Sequence, residues 1–311
     1  MNKKIAIIIP AYKNNFLAQT LDSIVAQTSH SFTVYIGDDA SPHDLQQIID
    51  RYKTKIDIVY HRFETNLGHT DLISHWARCI ALSKEKIIWF FSDDDIMPAD
   101  GIERILAALQ AYTETDHILF RFPLAVINSQ NEIIRQNAPF KEMGTDGYHF
   151  LLDKLKGKID SAACEYVFSR YTYEQTGGFV NFPLAWCSDD ATWAKFADYT
   201  GKITALPGKP VYWRNADGQN ISNSNRYDRE KLKATQQFLC WIKQHYCVHS
   251  GQKELRKALT TYIHTILCDS LRGNFTLRDL YHTCYILYSI DPQAAFKVAL
   301  RHLKKSKLCI K

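Results

Sequence analysis

Short apolar runs alternate with helical spacing through the first hundred residues, and this alternation restricts the chain to few folds. Residues 5–9 form a continuous apolar run that Pro10 ends, as expected of a strand buried on both faces. Further strands and the helices between them are predicted at residues 15–28, 32–36, 42–53, 56–61, 69–83 and 86–91. Strands and helices that alternate over short connections predict a right-handed, mainly parallel sheet with helices on both faces.

The later part of the chain carries antiparallel signals and then only helical ones. The polar sequence at 128–131 separates two β-rich stretches and is typical of a hairpin turn. Helices and strands that complete a mixed sheet are predicted near 98–111, 117–127, 132–136, 146–156, 162–168, 187–200, 202–206 and 210–214. From about Tyr227 onward strand signals vanish. We therefore predict an α/β domain over residues 1–225 and an α-helical extension over residues 226–311.

Composition limits the cellular setting and the cysteine chemistry. No run of 18 apolar residues occurs, and too few apolar residues precede Pro10 for a signal peptide, so a cytoplasmic protein is expected. The eight cysteines contain no Cys-x-x-Cys pair, and their spacing fits neither a zinc site nor a disulfide framework. Most are therefore expected to be reduced and buried.

The net charge of +5 is unevenly distributed along the chain. Residues 226–311 hold about 16 basic and 6 acidic side chains, whereas the first 225 residues are acidic overall. The basic helices are suited to contact an anionic membrane, at its inner face, or a polyanionic substrate; a solvated helix face is the alternative. Nucleic acid is not a predicted partner, because the basic residues lie outside the part that carries the motifs.

Three consecutive aspartates, Asp93, Asp94 and Asp95, directly follow the strand predicted at 86–91. A buried parallel strand delivers its last residues to the carboxyl edge of a sheet, where α/β proteins bind ligands. Crowded carboxylates repel one another unless a cation is present, and Mg²⁺ or Mn²⁺ prefers such oxygen ligands. The triplet predicts a clamp for a metal ion and a diphosphate. The alternative is a solvated acidic turn in which Asp95 caps the helix that starts near Pro98.

Two other strands are predicted to end at the same edge, after Pro10 and before Asp38. A nucleotide bound there needs an acceptor for a base N–H and a surface beneath the ring. Asp38 or Asp39 can accept that hydrogen bond, and Tyr12 can pack against the base or bond through its hydroxyl. For the two aspartates, the alternative is a turn followed by a helix cap.

In combination these motifs resemble the inverting glycosyltransferases of family 2, which have the GT-A fold. The motifs that carry the resemblance appear in the expected order through residues 4–222: Ile-Pro-Ala-Tyr at 9–12, Asp-Asp-Ala-Ser at 38–41, Asn-Leu-Gly-His at 66–69, Ser-Asp-Asp-Asp at 92–95, Gly-Gly-Phe at 177–179 and Ser-Asp-Asp at 188–190. The resemblance implies a mixed central sheet flanked by helices, here with a C-terminal helical extension. It also implies a nucleotide-sugar donor, usually UDP-linked, and Mn²⁺ or Mg²⁺ as cofactor.

The resemblance also assigns residues to the donor. Pro10, Ala11, Tyr12 and Asp39 match positions around uracil and ribose. Asn66 and Gly68 match a loop beside the nucleotide, for which a simple turn is the alternative. Among the triplet, Asp95 is favoured for direct metal contact, with Asp93 as a further ligand. Asp93 or Asp94 is left for the ribose or a metal-bound water.

The reaction requires a base, because an acceptor hydroxyl is a poor nucleophile until a carboxylate takes its proton. Asp189 fits the family's position for this base at a helix start, and Asp190 is the second candidate. The alternative is an N-cap pair on the helix at 187–200. Arg214 is predicted to bind the donor diphosphate through its planar guanidinium. The loop after Arg214 lacks the histidine that many relatives carry and that can help to hold the metal. That role is left to Asp217 or to water.

The leading hypothesis is a single-addition enzyme that acts on a glycan or a lipid-linked glycan. A nucleotidyltransferase that makes nucleotide sugars is an alternative, although the segment after the first strand lacks the glycine-rich loop that such an enzyme needs. A non-catalytic module that only binds nucleotide sugars is a third hypothesis. The presence of both the Asp triplet and Asp189 speaks against it.

Overall fold

The computed structural model describes residues 5–112, 115–215, 225–246, 253–271 and 274–306, with side chains as far as His302. The strands are β1 Ile5–Ala11, β2 Phe32–Asp38, β3 Ile58–Arg62, β4 Ile87–Phe90, β5 Leu119–Arg121, β6 Leu124–Ile127, β7 Ile133–Gln136, β8 Gly144–Thr145, β9 Tyr166–Ser169, β10 Ile203–Ala205 and β11 Val211–Arg214. The α-helices are α1 Leu17–Val25, α2 Leu45–Asp50, α3 Leu72–Ile80, α4 Gly101–Leu109, α5 Gly147–Leu155, α6 Arg170–Gln175, α7 Ser188–Thr200, α8 Asp228–Tyr246, α9 Lys253–Thr265, α10 Leu277–Tyr288 and α11 Pro292–Ser306.

Within these residues an eight-stranded sheet has the order β3-β2-β1-β4-β9-β5-β10-β8. Strands β3, β2, β1 and β4 are parallel, as the sequence predicted for the first hundred residues. Strand β9 runs antiparallel to both β4 and β5, and β10 runs parallel to β5. The carboxyl ends of β1, β2, β4 and β5 therefore share one edge. The predicted mixed α/β fold is confirmed.

Strand β1 shows why this sheet is covered on both faces. Ile5, Ile7 and Ile9 belong to one hydrophobic core, and Ala6 and Ile8 belong to the other. All five side chains are fully buried. Successive side chains of a strand point to opposite faces, so an unbroken apolar run needs a helical layer on each side.

The stretch at 117–127, predicted as one β-rich unit, is divided between two sheets. Strand β5 pairs in the large sheet, whereas β6 pairs with β11 and β7 in a three-stranded sheet. The division falls at Pro123, which has no N–H to donate to a ladder and whose carbonyl accepts from the Val211 N–H at 2.8 Å. The predicted turn at 128–131 does connect the antiparallel strands β6 and β7.

The C-terminal helices pack on the segment that leads into α7. Phe238 of α8 contacts Phe182, and the hydroxyl of Tyr262 on α9 lies 3.0 Å from Sγ of Cys187. Helices α8–α11 share one hydrophobic core with the face of the sheet that carries Ile8. No described helix combines the length and hydropathy needed to cross a bilayer.

Candidate active site at the carboxyl edge of the sheet

The exit of β1 is bonded to the aspartate triplet. The backbone N–H groups of Tyr12 and Lys13 both donate to Oδ2 of Asp93, each at 2.8 Å. Ser41, after β2, donates its hydroxyl to the Tyr12 carbonyl at 2.6 Å. The loops after β1, β2 and β4 therefore form one connected rim, as the parallel arrangement of the strands predicted.

The three carboxylates of the triplet are buried at this rim. Asp93, Asp94 and Asp95 are 5%, 6% and 0% exposed. Burial and the charge of Asp94 raise the pKa of Asp93 to about 6 and that of Asp95 to about 7. The Lys13 ammonium contacts Asp94 and lies 3.8 Å from Oδ1 of Asp93. The rim therefore has a strong preference for a positive charge.

Asp95 does not cap a helix, so the alternative reading of the triplet as a solvated turn is wrong. Helix α4 begins at Gly101 after Asp100, and Asp95 is fully buried. Its Oδ1 accepts from the Arg214 N–H at 2.7 Å, while Oδ2 is buried and, among the described residues, makes no hydrogen bond of ordinary geometry, although the side chains of Ser92 and Cys164 lie close to this carboxylate. An orphaned carboxylate oxygen beside two further carboxylates fits the donor set of a hard divalent cation.

The role predicted for Arg214 needs correction. Its side chain is fully buried, and it donates to the carbonyls of Asp94 and Asn128 and to the side chain of Gln19, at 2.8–3.1 Å. The guanidinium also lies over the ring of Phe16. These contacts hold the triplet loop in place, and they direct the guanidinium into the protein instead of toward a donor phosphate. Asp217, named as an alternative metal ligand, lies outside the described residues.

Asp38 and Asp39 differ in their surroundings, although they are adjacent. Asp38 is fully buried and accepts from the Tyr60 hydroxyl at 2.6 Å and from Arg62 at 2.8 Å. Asp39 accepts from backbone N–H groups of the 66–68 loop and from Arg78. Neither caps α2, whose N-cap is Asp44.

The loop at 66–68 is built around Asp39. Gly68 donates its N–H to Oδ2 of Asp39 at 2.7 Å, and Asn66 donates its side-chain amide to the Asp39 carbonyl at 3.0 Å. A Cβ at Gly68 would lie 2.6 Å from that Oδ2, which explains why glycine is needed. Oδ1 of Asp39 already accepts from both the Leu67 N–H and Arg78, whereas Oδ2 accepts from the Gly68 N–H alone, so Oδ2 keeps capacity for a ligand. Tyr12 is 44% exposed on this rim, whereas Ala11 is buried within β1.

Asp189 and Asp190 lie in the first turn of α7, but neither is its N-cap. The residue before the helix is Cys187, which has a left-handed conformation (φ 63°) and makes no capping hydrogen bond. The N–H of Asp190 donates to Oδ1 of Asp189 at 2.9 Å. Their position in the first turn remains favourable for negative charge.

A buried charge network surrounds these two aspartates. Lys154 lies 3.3 Å from Oδ1 of Asp190, and Arg121 donates to Glu165 at 2.9 Å. Burial and the charge of Asp190 raise the pKa of Asp189 to about 7, which Lys154 partly opposes. Burial likewise raises the pKa of Glu165 to about 7 against the effect of Arg121. Asp189 can therefore exchange a proton near neutral pH.

The strand order places Asp189 at the same edge as the triplet. Helix α7 leads into β10, which runs parallel to β5 and so starts at the opposite edge. The first turn of α7 therefore lies at the carboxyl edge, where β5 ends at Arg121. Between the two clusters, Cys164 approaches Asp95, and the adjacent Glu165 binds Arg121.

Several polar residues of this rim were not singled out in the sequence: Lys13, Arg78, Arg121, Lys154 and Glu165. Glu165 did carry a signal, because it is the one charged residue in the apolar segment 162–168. A buried acid within an apolar segment needs a partner, which predicts a nearby cation. The sequence around Lys13 and Lys154 gives no sign that they belong to the site, because their partners Asp94 and Asp190 lie 81 and 36 residues away along the chain.

Comparisons with known proteins agree with this architecture. The family model described as glycosyl transferase family 2 matches residues 6–165. The structure of S. aureus TarS 1–349 in complex with UDP-GlcNAc superimposes with a TM-score of 0.68 at 13% identity, covering 94% of this chain and 82% of that one. The mannosyltransferase PcManGT from Pyrobaculum calidifontis, in complex with GDP-Man and Mn²⁺, gives a TM-score of 0.51 at 14% identity, covering 97% and 88%. No curated protein sequence matches.

Proposed function

The chain belongs to glycosyl transferase family 2, and from this we propose that it transfers a sugar from a nucleoside diphosphate sugar to a hydroxyl group. One observation carries the proposal: the loops after β1, β2 and β4 converge on buried carboxylates at one edge, and Asp189 lies at that same edge. A donor diphosphate and an attacking hydroxyl need these two kinds of group, on different segments.

We take the donor to be a UDP-sugar. The fold similarity to TarS in complex with UDP-GlcNAc and with UDP supports this choice. The uracil ring of the donor would lie beside Tyr12, and Pro10 and Ala11, at the end of strand β1, would lie beneath that ring. Asp39, which is bonded to Asn66 and Gly68, would accept a hydrogen bond from the uracil N–H. Asp38 would stabilise the loop after β2 through its hydrogen bonds with Tyr60 and Arg62.

The donor set of the triplet suits Mn²⁺ or Mg²⁺. Asp95, through its orphaned Oδ2, and Asp93 would hold the ion, with Asp94 beside the ribose. When bound, the ion would neutralise charge that develops on the departing diphosphate. Arg214 positions this loop by holding the Asp94 carbonyl and Oδ1 of Asp95.

We assign the role of general base to Asp189. Its carboxylate would take the proton of the acceptor hydroxyl while that oxygen attacks the anomeric carbon from the face opposite the diphosphate, which inverts the configuration. Lys154 contacts Asp190, and the negative charge of Asp190 raises the pKa of Asp189, which makes Asp189 a stronger base.

The C-terminal helices suggest where the acceptor is met. Helix α10 exposes Tyr281, Tyr285 and Tyr288, which are 72%, 65% and 62% accessible. Helix α11 exposes Phe296, and the exposed basic residues Arg278, Lys297 and Arg301 lie on these same helices. Aromatic rings with polar ends beside basic groups match the interface of an anionic bilayer. We propose that this aromatic face, residues 277–301, contacts such a bilayer and that the acceptor is lipid-linked.

The membrane proposal predicts binding of the full chain to vesicles that contain anionic lipid, weakening as salt is added. Replacing Tyr281 and Tyr285 by serine is expected to weaken binding about tenfold, equivalent to losing roughly 60 Å² of buried apolar surface. Tyr199→Ser removes an exposed tyrosine from α7 and serves as the matched control. Cosedimentation measures both. Equal binding to neutral vesicles, or self-association through the same face, would contradict the proposal.

The function itself is tested by incubating the full chain with Mn²⁺ and a panel of UDP-sugars and GDP-mannose. We expect UDP release from at least one UDP-sugar, accelerated by glycan or lipid-linked acceptors. Pyrophosphate release from UTP and a sugar 1-phosphate would instead indicate a nucleotidyltransferase. Thermal stabilisation by a nucleotide sugar with no turnover of any donor would indicate a non-catalytic module.

A further inference from the structure

A second cluster of ligating side chains lies in the C-terminal helices, away from the carboxyl edge. His264 is on α9, and Cys268 lies one turn later in the π-helix Ile266–Ser270 that continues α9. His302 comes from α11, which packs beside α9. One ligand atom from each residue lies within 4.8 Å of the other two.

The distances within this cluster match those of a tetrahedral metal centre. Nδ1 of His264 lies 3.3 Å from Nε2 of His302 and 3.5 Å from Sγ of Cys268. Zinc binds histidine nitrogen at about 2.0–2.1 Å and thiolate at about 2.3 Å, so tetrahedral angles separate two nitrogens by about 3.3–3.4 Å and nitrogen from sulfur by about 3.5–3.6 Å. Both observed separations fall within or beside these ranges.

Hydrogen bonding among the three side chains explains this arrangement less well. Each imidazole nitrogen has either one proton or one lone pair, so it makes one well-directed hydrogen bond. Here the imidazole of His302 and the thiol of Cys268 both approach the same atom, Nδ1 of His264. A cation between the three would use the lone pair of each ligand atom at once.

The local backbone supports the same interpretation. Side chains four residues apart in an α-helix share one face, and a π-helical segment shifts that register; such segments frequently occur at functional sites. Cys268 lies four residues after His264, within this π-helical segment, and its sulfur reaches His264. His302 is 1% exposed, and its ring packs against Phe275, so the third ligand is held in a fixed, largely dry environment.

We propose that His264, Cys268 and His302 bind one zinc ion, with water or another small ligand in the fourth position, and that this ion joins α9 to α11. Nitrogen and sulfur ligands favour Zn²⁺ and Co²⁺, whereas the carboxylates of the triplet favour Mg²⁺ and Mn²⁺. The two sites would therefore take different ions. The expectation that the cysteines form no zinc site considered cysteine spacing alone, and two of these three ligands are histidines, one of them 34 residues beyond Cys268.

The test uses the full chain, stripped with a chelator and kept in excess Mg²⁺ so that the carboxylate rim is occupied. Titration with Co²⁺ is expected to produce a thiolate-to-cobalt charge-transfer band that saturates at one equivalent and disappears when Zn²⁺ is added. Zn²⁺ is also expected to raise the melting temperature. If the native chain gives no thiolate-to-cobalt band, the proposal is overturned, regardless of the results with variants.

Substitutions identify the ligands. Cys268→Ser is expected to abolish the band, and His302→Gln to weaken Co²⁺ binding by about tenfold or more, since loss of even an outer partner costs that much. Cys240→Ser removes an exposed cysteine from α8 and is expected to leave the band unchanged. A band that persists in Cys268→Ser, or that disappears equally in Cys240→Ser, overturns the assignment. Circular dichroism of each variant without metal verifies that it is folded.

Discussion

Replacing Asp189 by asparagine is expected to lower kcat by about 10²–10⁴-fold, the range for loss of a positioned general base. Asparagine keeps the shape of the side chain, and its carbonyl can still accept from the Asp190 N–H, but it cannot take a proton. The melting temperature is expected to stay equal or rise, because the substitution removes a half-buried carboxylate whose pKa is raised by burial and by the charge of Asp190. Release of UDP at saturating donor and acceptor measures the rate.

The pH dependence of the native enzyme provides a second readout. Since Asp189 acts when ionised and its pKa is raised to about 7, the rate is expected to fall about tenfold per pH unit below that value. The residual rate of the Asp189→Asn variant should not show this decrease with falling pH. Asp198→Asn, at the exposed end of α7, is the matched control. If Asp189→Asn retains most of the rate while Asp190→Asn abolishes it, the base is Asp190.

Replacing Asp95 by asparagine is expected to reduce kcat/KM by about 10³-fold, the equivalent of several kcal/mol of charge stabilisation at the diphosphate. The amide oxygen can still accept from the Arg214 N–H, so the loop should keep its shape. Without ligands at pH 8 the variant is expected to be at least as stable as the native chain. A carboxyl whose pKa in the folded state is raised to about 7 by burial lowers the stability of the folded state as the pH rises from about 4, the unfolded value, to about 7, so the full penalty is present at pH 8.

A thermal-shift titration with UDP and Mn²⁺ separates metal binding from folding. The native chain should gain a Mn²⁺-dependent shift that Asp95→Asn loses, and Asp50→Asn, at an exposed position that ends α2, should behave as the native chain. The triplet also allows a register one residue earlier. Loss of the Mn²⁺ effect in Asp94→Asn with full retention in Asp95→Asn would show that Asp94 is the ligand.

The parallel half of the fold was predictable because each of its elements carries its own periodicity. Strand β1 buries alternate residues in two cores, so an uninterrupted apolar run such as residues 5–9 indicates a central strand. The stretch at 117–127 carries one continuous β signal, yet Pro123 divides it between two sheets. Which sheet each half joins depends on β9, β10 and β11, which are distant in sequence.

The position of the candidate site was predictable for a similar reason. Parallel strands end at one edge, so residues directly after β1, β2 and β4 had to meet, and the bonds from Tyr12 and Lys13 to Asp93 confirm that they do. The direction of an individual side chain was not predictable. Arg214 ends strand β11 beside the triplet, but hydrogen bonds to the Asn128 carbonyl and the Gln19 side chain direct its guanidinium inward.

Lys13 gives the acidic rim an internal counterion. Although burial alone would lower it, the pKa of Lys13 is raised by Asp93 and Asp94, so the ammonium stays charged between them. If the rim binds a metal ion as proposed, loading of that ion would be an exchange in which the Lys13 side chain is displaced. The freed ammonium would lie beside the incoming diphosphate and attract it. Uptake of ion and donor is thereby expected to be mutually reinforcing, so that each binds more tightly in the presence of the other.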